Sequence, residues 1–310
     1  MVLWGRKQSA HEIADRVDNL YQLFGMRRYE LDEGSTHGTR AIDINTGSGL
    51  QYTVVPDRGM DISLAFYKGV NITCLTANGE IHPSFYESRG KEWAKVFFGG
   101  LLTTCGLTYL GPPGIDEEEE LGLHGRFNVT PARHVCDLSC WNCDDFDLAL
   151  EGVIQETVQM GYKLETKRRI SGRVGEAVIR IHDHVKNIGS QISPFTVLYH
   201  INFGYPFLDQ GTRLVIGSHL TEPFDEYSRQ HIRDRLLMEK PSGGFKEENY
   251  LCFGRPDADG LIHALIINDR LMDGLAVEIV ASANTLPYFC EWKMLDVRDY
   301  VLSVEPCNVK

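Results

Sequence analysis

Leu50-Gln-Tyr-Thr-Val-Val-Pro-Asp-Arg-Gly-Met-Asp-Ile-Ser-Leu-Ala-Phe66 is the stretch on which the fold reading turns. Two β-rich runs, 50–55 and 61–66, flank Pro56-Asp57-Arg58-Gly59, a cluster of residues that punctuate turns. The same grammar recurs from Tyr29 onward. Val178 to Val185, Pro194 to Ile201 and Leu275 to Ala281 are further short β-rich runs, and Asn187-Ile188-Gly189 is a further turn signal. Regular strand–helix alternation is missing, which argues against a doubly wound parallel sheet. The pattern predicts a mainly β protein, a large antiparallel β-sandwich. Such sandwiches run this long as one unit, so a single domain over 1–310 is expected.

Helices are the minor theme. Ser9-Ala-His-Glu12 has capping-box spacing, Ile13, Val17, Leu20, Tyr21 and Phe24 follow at helical spacing, and Gly25 sits where a helix stops. An amphipathic helix over about 9–24 is predicted as an N-terminal appendage, and a second helix around Glu226 to Met238. The acidic run Glu117 to Glu120, after Gly111-Pro-Pro-Gly114, reads as a solvated loop.

Charge and composition exclude several classes of partner. With 31 Lys and Arg against 43 Asp and Glu, the net charge is -12. Such a surface repels phosphate backbones and anionic lipid, so nucleic acid and membrane are not expected, and a neutral polyhydroxylated small molecule is. No apolar run reaches the roughly 18 to 20 residues of a membrane helix. Met1 to Gln8 lacks a secretory pattern, so the eight cysteines are read as reduced thiols in a cytoplasm.

Three clusters resemble metal or phosphate motifs and are given plain readings. Cys136-x3-Cys140-x2-Cys143 lacks a fourth ligand at typical spacing and is read as loop or strand thiols. In His182-Asp183-His184, strand alternation turns Asp183 to the face of Ile179, Ile181 and Val185, and both histidines to the other. Gly99 to Gly106 has neither a phosphate-loop lysine nor GxGxxG spacing. No metal and no cofactor is expected.

Three other segments carry more chemistry. Leu121-Gly-Leu-His-Gly-Arg-Phe127 sets a histidine between glycines, and Leu198-Tyr-His-Ile-Asn-Phe-Gly204 puts His200 and Asn202 on one strand face. Tyr300-Val-Leu-Ser-Val-Glu-Pro306 is a β run ending in a carboxylate before proline. With Val55 to Ile62 and Gly99 to Gly106, these motifs in this order resemble the galactose mutarotase-like superfamily of aldose 1-epimerases. More closely they are similar to the bacterial branch designated DUF4432, a domain of unknown function. The resemblance runs almost the full length and implies a large antiparallel β-sandwich. It implies an isomerase of a free sugar or sugar derivative, with a small-molecule carbohydrate as partner and a homodimer allowed for.

Residue by residue, the resemblance makes His200 the donor of a proton to the sugar ring oxygen and Glu305 the acceptor from the anomeric hydroxyl. His124 matches the sugar-holding histidine. Arg58 and Asp61 fall, more loosely, where relatives place polar ligand contacts, and Arg126, Asn202 and Trp292 are further substrate-binding candidates. A carboxylate and an imidazolium of ordinary pKa, on opposite sides of the ring, can open and reclose a hemiacetal without cofactor. The sugar itself does not carry over, because the residues around His124 and His200 depart from typical galactose mutarotases. Relatives continue through further strands after the position of Glu305, whereas this sequence stops five residues later, either naturally short or cut short there. Another isomerase, epimerase or lyase on the same site, or a non-catalytic carbohydrate-binding sensor, are the alternative uses of such residues.

Overall fold

The strand–turn–strand of 50–66 forms as predicted: Leu50–Val55 pairs antiparallel with Asp61–Tyr67 and buries Val54, Val55, Ile62 and Ala65. In the computed structural model, which describes residues 1–116 and 119–310, it is the centre of a five-stranded meander. The turn is held from outside, because Asp57 accepts from the Arg40 backbone N–H at 2.7 Å and from its guanidinium. Gly59 is required there, since its φ is +63° and a Cβ would meet the Phe127 carbonyl at 2.8 Å.

A second sheet is built on Asp145–Thr157, Lys163–Arg173 and Arg180–Asn187. A third has six strands in the order Ser218–Pro223, Glu248–Gly254, Tyr288–Leu295, Tyr300–Cys307, Thr196–Phe203, Thr103–Leu107. A fourth holds Arg213–Ile216, Leu261–Asn268 and Leu275–Ser282. All these pairings are antiparallel. One buried cluster contains Ile42, Leu150, Ile170, Phe203, Leu302 and Ile266, and so draws on all four sheets.

A buried cation ties three of the sheets together. All five N–H groups of Arg168 are used. They go to Asp183 (2.9 and 2.7 Å), Asp61 (2.8 Å), the Gly59 carbonyl (3.0 Å) and Thr104 Oγ1 (2.9 Å). Phe127 and Tyr199 lie against its guanidinium, and Tyr199 Oη donates to Asp183 at 2.8 Å. Burial works against the charge, and Asp183 and then Asp61 outweigh it, so Arg168 stays protonated. Asp183 therefore points inward while His182 and His184 are exposed, the alternation that the sequence predicts.

The helical predictions are corrected. Helix occupies only Ala10–Ala14, with the Ser9–Glu12 capping box intact, and a separate 3-10 turn follows at Leu20–Gln22. The Asn19 side chain accepts from the Tyr21 N–H and starts that turn afresh, so the apolar spacing is met by two short pieces. Ile13 and Phe24 are buried even so. The second helix spans only Glu226–His231, capped by Asp225, and ends before Met238. Of the acidic run, Glu117 and Glu118 lie outside the described residues, while Glu119 and Glu120 are exposed on a short strand, Glu119–Leu121, not in a loop. No helix among the described residues is long and apolar enough to cross a membrane.

Candidate active site

His200 and Glu305 meet because of strand register. Ile201 pairs with Val304 and Leu198 with Cys307, which sets His200 directly opposite Glu305 on the neighbouring strand. Nε2 and Oε1 are 3.2 Å apart, and both residues are only 5% exposed. The expectation of an acid and a base on opposite sides of a substrate ring is thus corrected: a cross-strand pair stands side by side. The contact is not aligned as a hydrogen bond, and Oε1 is left without a hydrogen-bond partner.

Burial dominates the electrostatics of the pair. It lowers the His200 imidazole to about 4, with Asn202 opposing, and raises the Glu305 carboxyl to about 7, with Ser303 opposing. His200 does not keep the ordinary pKa assumed from sequence.

Strand alternation places Asn202 on the same face, opposite Ser303, and Trp292 is opposite Ser303 on the next strand. The Trp292 ring lies edge-on to His200 at 5.5 Å, and its Nε1 donates to Glu247 at 3.0 Å. Asn202 Nδ2 donates to the carbonyls of Gly99 and His200, while Oδ1 is buried and unpartnered.

The roof is a loop and an aromatic stack. His124 has φ +57°, and its loop is bound to Gly106 and Gly111 by backbone hydrogen bonds. Gly125 makes this approach possible, since a Cβ there would stand 2.5 Å from the carbonyls of both Gly106 and Tyr109. Burial, and then the charge of His200, lower His124 to about 3, and its Nδ1 has no partner. Trp93 stacks on Phe97 at 4.7 Å and meets His124 edge-on at 4.9 Å, and Phe97 lies 5.3 Å from His200.

Three further sequence candidates, Arg58, Asp61 and Arg126, have hydrogen-bond partners within the protein. Arg58 is fully buried and donates to the carbonyls of Asn128, Ile81 and Val96, so it clamps three segments together, one of them next to Phe97. Asp61 is fully buried on Thr104 and Arg168, its carboxyl raised by burial to about 6. Arg126 donates to Tyr162 Oη at 2.8 Å. A clamp of this kind depends on distant segments and leaves no trace in the local sequence.

Ser303, Trp93 and Phe97 were not singled out from sequence. Ser303 could have been, because it lies two residues before Glu305 and strand period puts both on one face. No three His, Cys, Asp or Glu groups are placed to hold a metal among the described residues. Cys136, Cys140 and Cys143 are exposed on the second sheet and its turns.

A family model of a domain of unknown function, DUF4432, matches residues 36–310. The chain belongs to the DUF4432 family. No curated protein matches it. This DUF4432 chain superposes on a Klebsiella pneumoniae protein provisionally named an aldose 1-epimerase, with TM-score 0.87, 22% identity and coverage of 96% of this chain and 81% of that one. A galactose mutarotase-like protein from Clostridium acetobutylicum matches at TM-score 0.57 and 14% identity, covering 92% and 88%. A galactose mutarotase related enzyme from Lactobacillus acidophilus matches at 0.51 and 10%, covering 91% and 85%. At these identities the likeness establishes a shared galactose mutarotase-like fold.

Proposed function

We propose that this protein interconverts the anomers of a free sugar or sugar derivative, an aldose 1-epimerase type of isomerisation. The observation that carries the reading is the His200–Glu305 contact, Nε2 to Oε1 at 3.2 Å, walled by aromatic rings and ringed by unsatisfied polar atoms. Eight buried side-chain polar atoms lack partners among the described residues, and three belong to His124, Asn202 and Glu305. Leaving such an atom unpaired costs about 1–3 kcal/mol, so their concentration here favours a ligand rich in hydroxyls. The half-buried rings of Trp292 and Phe97, the latter backed by buried Trp93, offer faces and edges to the apolar side of a pyranose or furanose.

The pair suits the chemistry. Opening a hemiacetal takes a proton from O1 and gives one to the ring oxygen, and both oxygens are bonded to the same carbon. Two groups side by side that share one mobile proton can therefore give and take in a single event. Rotation about C1–C2 and reclosure by the reverse transfers give the other anomer. Each positioned group contributes about 10²- to 10⁴-fold. His124 and Asn202 orient the sugar, Arg58 and Asp61 brace the surrounding backbone, and no external proton is consumed.

Exchange NMR on a panel of aldoses tests the reading. At least one sugar should show anomer exchange accelerated by the protein. Sugar binding with unaltered exchange across the panel would make the site a binding site only. A product that has lost water or changed its carbon skeleton would assign a different reaction to the pair.

A further inference from the structure

The hydrogen bonds behind His200 decide which of its nitrogens carries hydrogen. Ser303 Oγ is 2.8 Å from His200 Nδ1 and 3.1 Å from the Ile201 carbonyl oxygen. A hydroxyl has one hydrogen to donate, and a carbonyl oxygen only accepts. Both contacts are hydrogen bonds only when that hydrogen goes to Ile201, which leaves Oγ only lone pairs for Nδ1 and makes Nδ1 the donor at 2.8 Å. A neutral imidazole of this kind has a bare Nε2, and Nε2 is the atom that faces Glu305 Oε1. Two bare acceptors at 3.2 Å in a buried place repel each other, and protonation of either one removes the conflict.

The surroundings favour placing that proton without separating charge. His200 is faced by the rings of Phe97, Trp292 and His124. Among the described residues no lysine or arginine lies within ion-pair distance of Glu305, whose one such contact is His200. The nearby thiols add no charge: Cys105 is held protonated by burial, and Cys290, opposite Glu305, by its contact with Cys307 and by burial.

We infer that Ser303 is a positioning residue that locks His200 as the Nδ1–H tautomer, leaving Nε2 the resting proton acceptor and Glu305 the resting proton holder. This deepens the isomerase reading and rests on it for its catalytic consequence. The Glu305 proton passes to the ring oxygen as the C1–O bond breaks. The O1 proton passes to Nε2 as the C1=O double bond forms, and reclosure returns both. The sugar then lies with its ring oxygen toward Glu305 and O1 toward His200, the reverse of the roles that the resemblance implies. The burial-driven shifts of the two groups act in the same direction.

The tautomer is readable without any sugar. Long-range 1H–15N correlation on protein labelled with [15N]histidine, assigned with a His200→Asn sample, should show a protonated Nδ1 and a bare Nε2 at neutral pH. Ser303→Ala should shift the ring to the Nε2–H form, and Ser303→Thr, which keeps the hydroxyl, should restore Nδ1–H. A wild-type ring protonated on Nε2, or on both nitrogens, overturns the inference. So does an Nδ1–H ring that Ser303→Ala leaves unchanged. Because the wild-type spectrum alone can refute it, a variant that fails to fold does not shield it. Failure of every anomer-exchange assay would end the isomerase reading while leaving the tautomer result intact.

Discussion

Replacing Arg168 by methionine should be among the most damaging single substitutions in the chain, and the size of the effect follows from its contacts. The guanidinium is fully buried between two carboxylates, Asp61 and Asp183, which it neutralises through three of its N–H groups. Methionine fills much of the volume but strands both carboxylates, each also fixed by Thr104 or Tyr199. Removing one partner of a buried ion pair costs about 3–5 kcal/mol, a large part of the roughly 5–15 kcal/mol that holds a typical domain folded. At a urea slope near the top of the usual range, about 3 kcal/mol/M, the unfolding midpoint should fall by roughly 1 to 1.7 M. Adding Asp61→Asn and Asp183→Asn to the same chain removes the stranded charges and should recover at least half of the loss. A single variant that loses less than about 1 kcal/mol, or a triple variant no more stable than the single one, would refute this reasoning.

Two further outcomes concern the candidate site. Glu305 is protonated below about 7 and His200 unprotonated above about 4, so the one-proton pair exists between these values. The kcat/KM for anomer exchange should form a bell with limbs near 4 and 7, lost above 7 because the donor is gone and below 4 because the acceptor is filled; a profile flat through the upper limb contradicts it. Gly125→Ala forces a side chain into left-handed backbone at about 1–2 kcal/mol, with its Cβ against two carbonyls. It should displace His124 and lower anomer exchange at least about tenfold with a drop of a few degrees in Tm, whereas Gly243→Ala, in open space, leaves both unchanged.

Local grammar made much of the fold legible. The turn at Pro56–Gly59, the strands around it and the capping box at Ser9–Glu12 are short-range features, and the structure keeps them. The length of the first helix was not legible, because Asn19 starts a new turn with a side-chain bond that apolar spacing does not register. At the site, His200 and Glu305 stood out as polar residues ending apolar strands, and the ordered motifs joined them. Their side-by-side placement is a matter of cross-strand register between distant segments, and only the paired sheet reveals it. The same holds for the burial that moves their pKa values, for Trp93 and Phe97 in the roof, and for Arg58, which answers three carbonyls from three separate segments.

The most direct measurement is anomer exchange by NMR with the accelerated sugar, wild type against Glu305→Gln. The substitution keeps the shape of the side chain and removes its ability to hold and release a proton. Exchange should fall by about 10²- to 10⁴-fold while sugar binding stays within a few-fold of wild type. A glutamine variant that exchanges anomers at the wild-type rate would show that Glu305 moves no proton, and would contradict the assignment of the site.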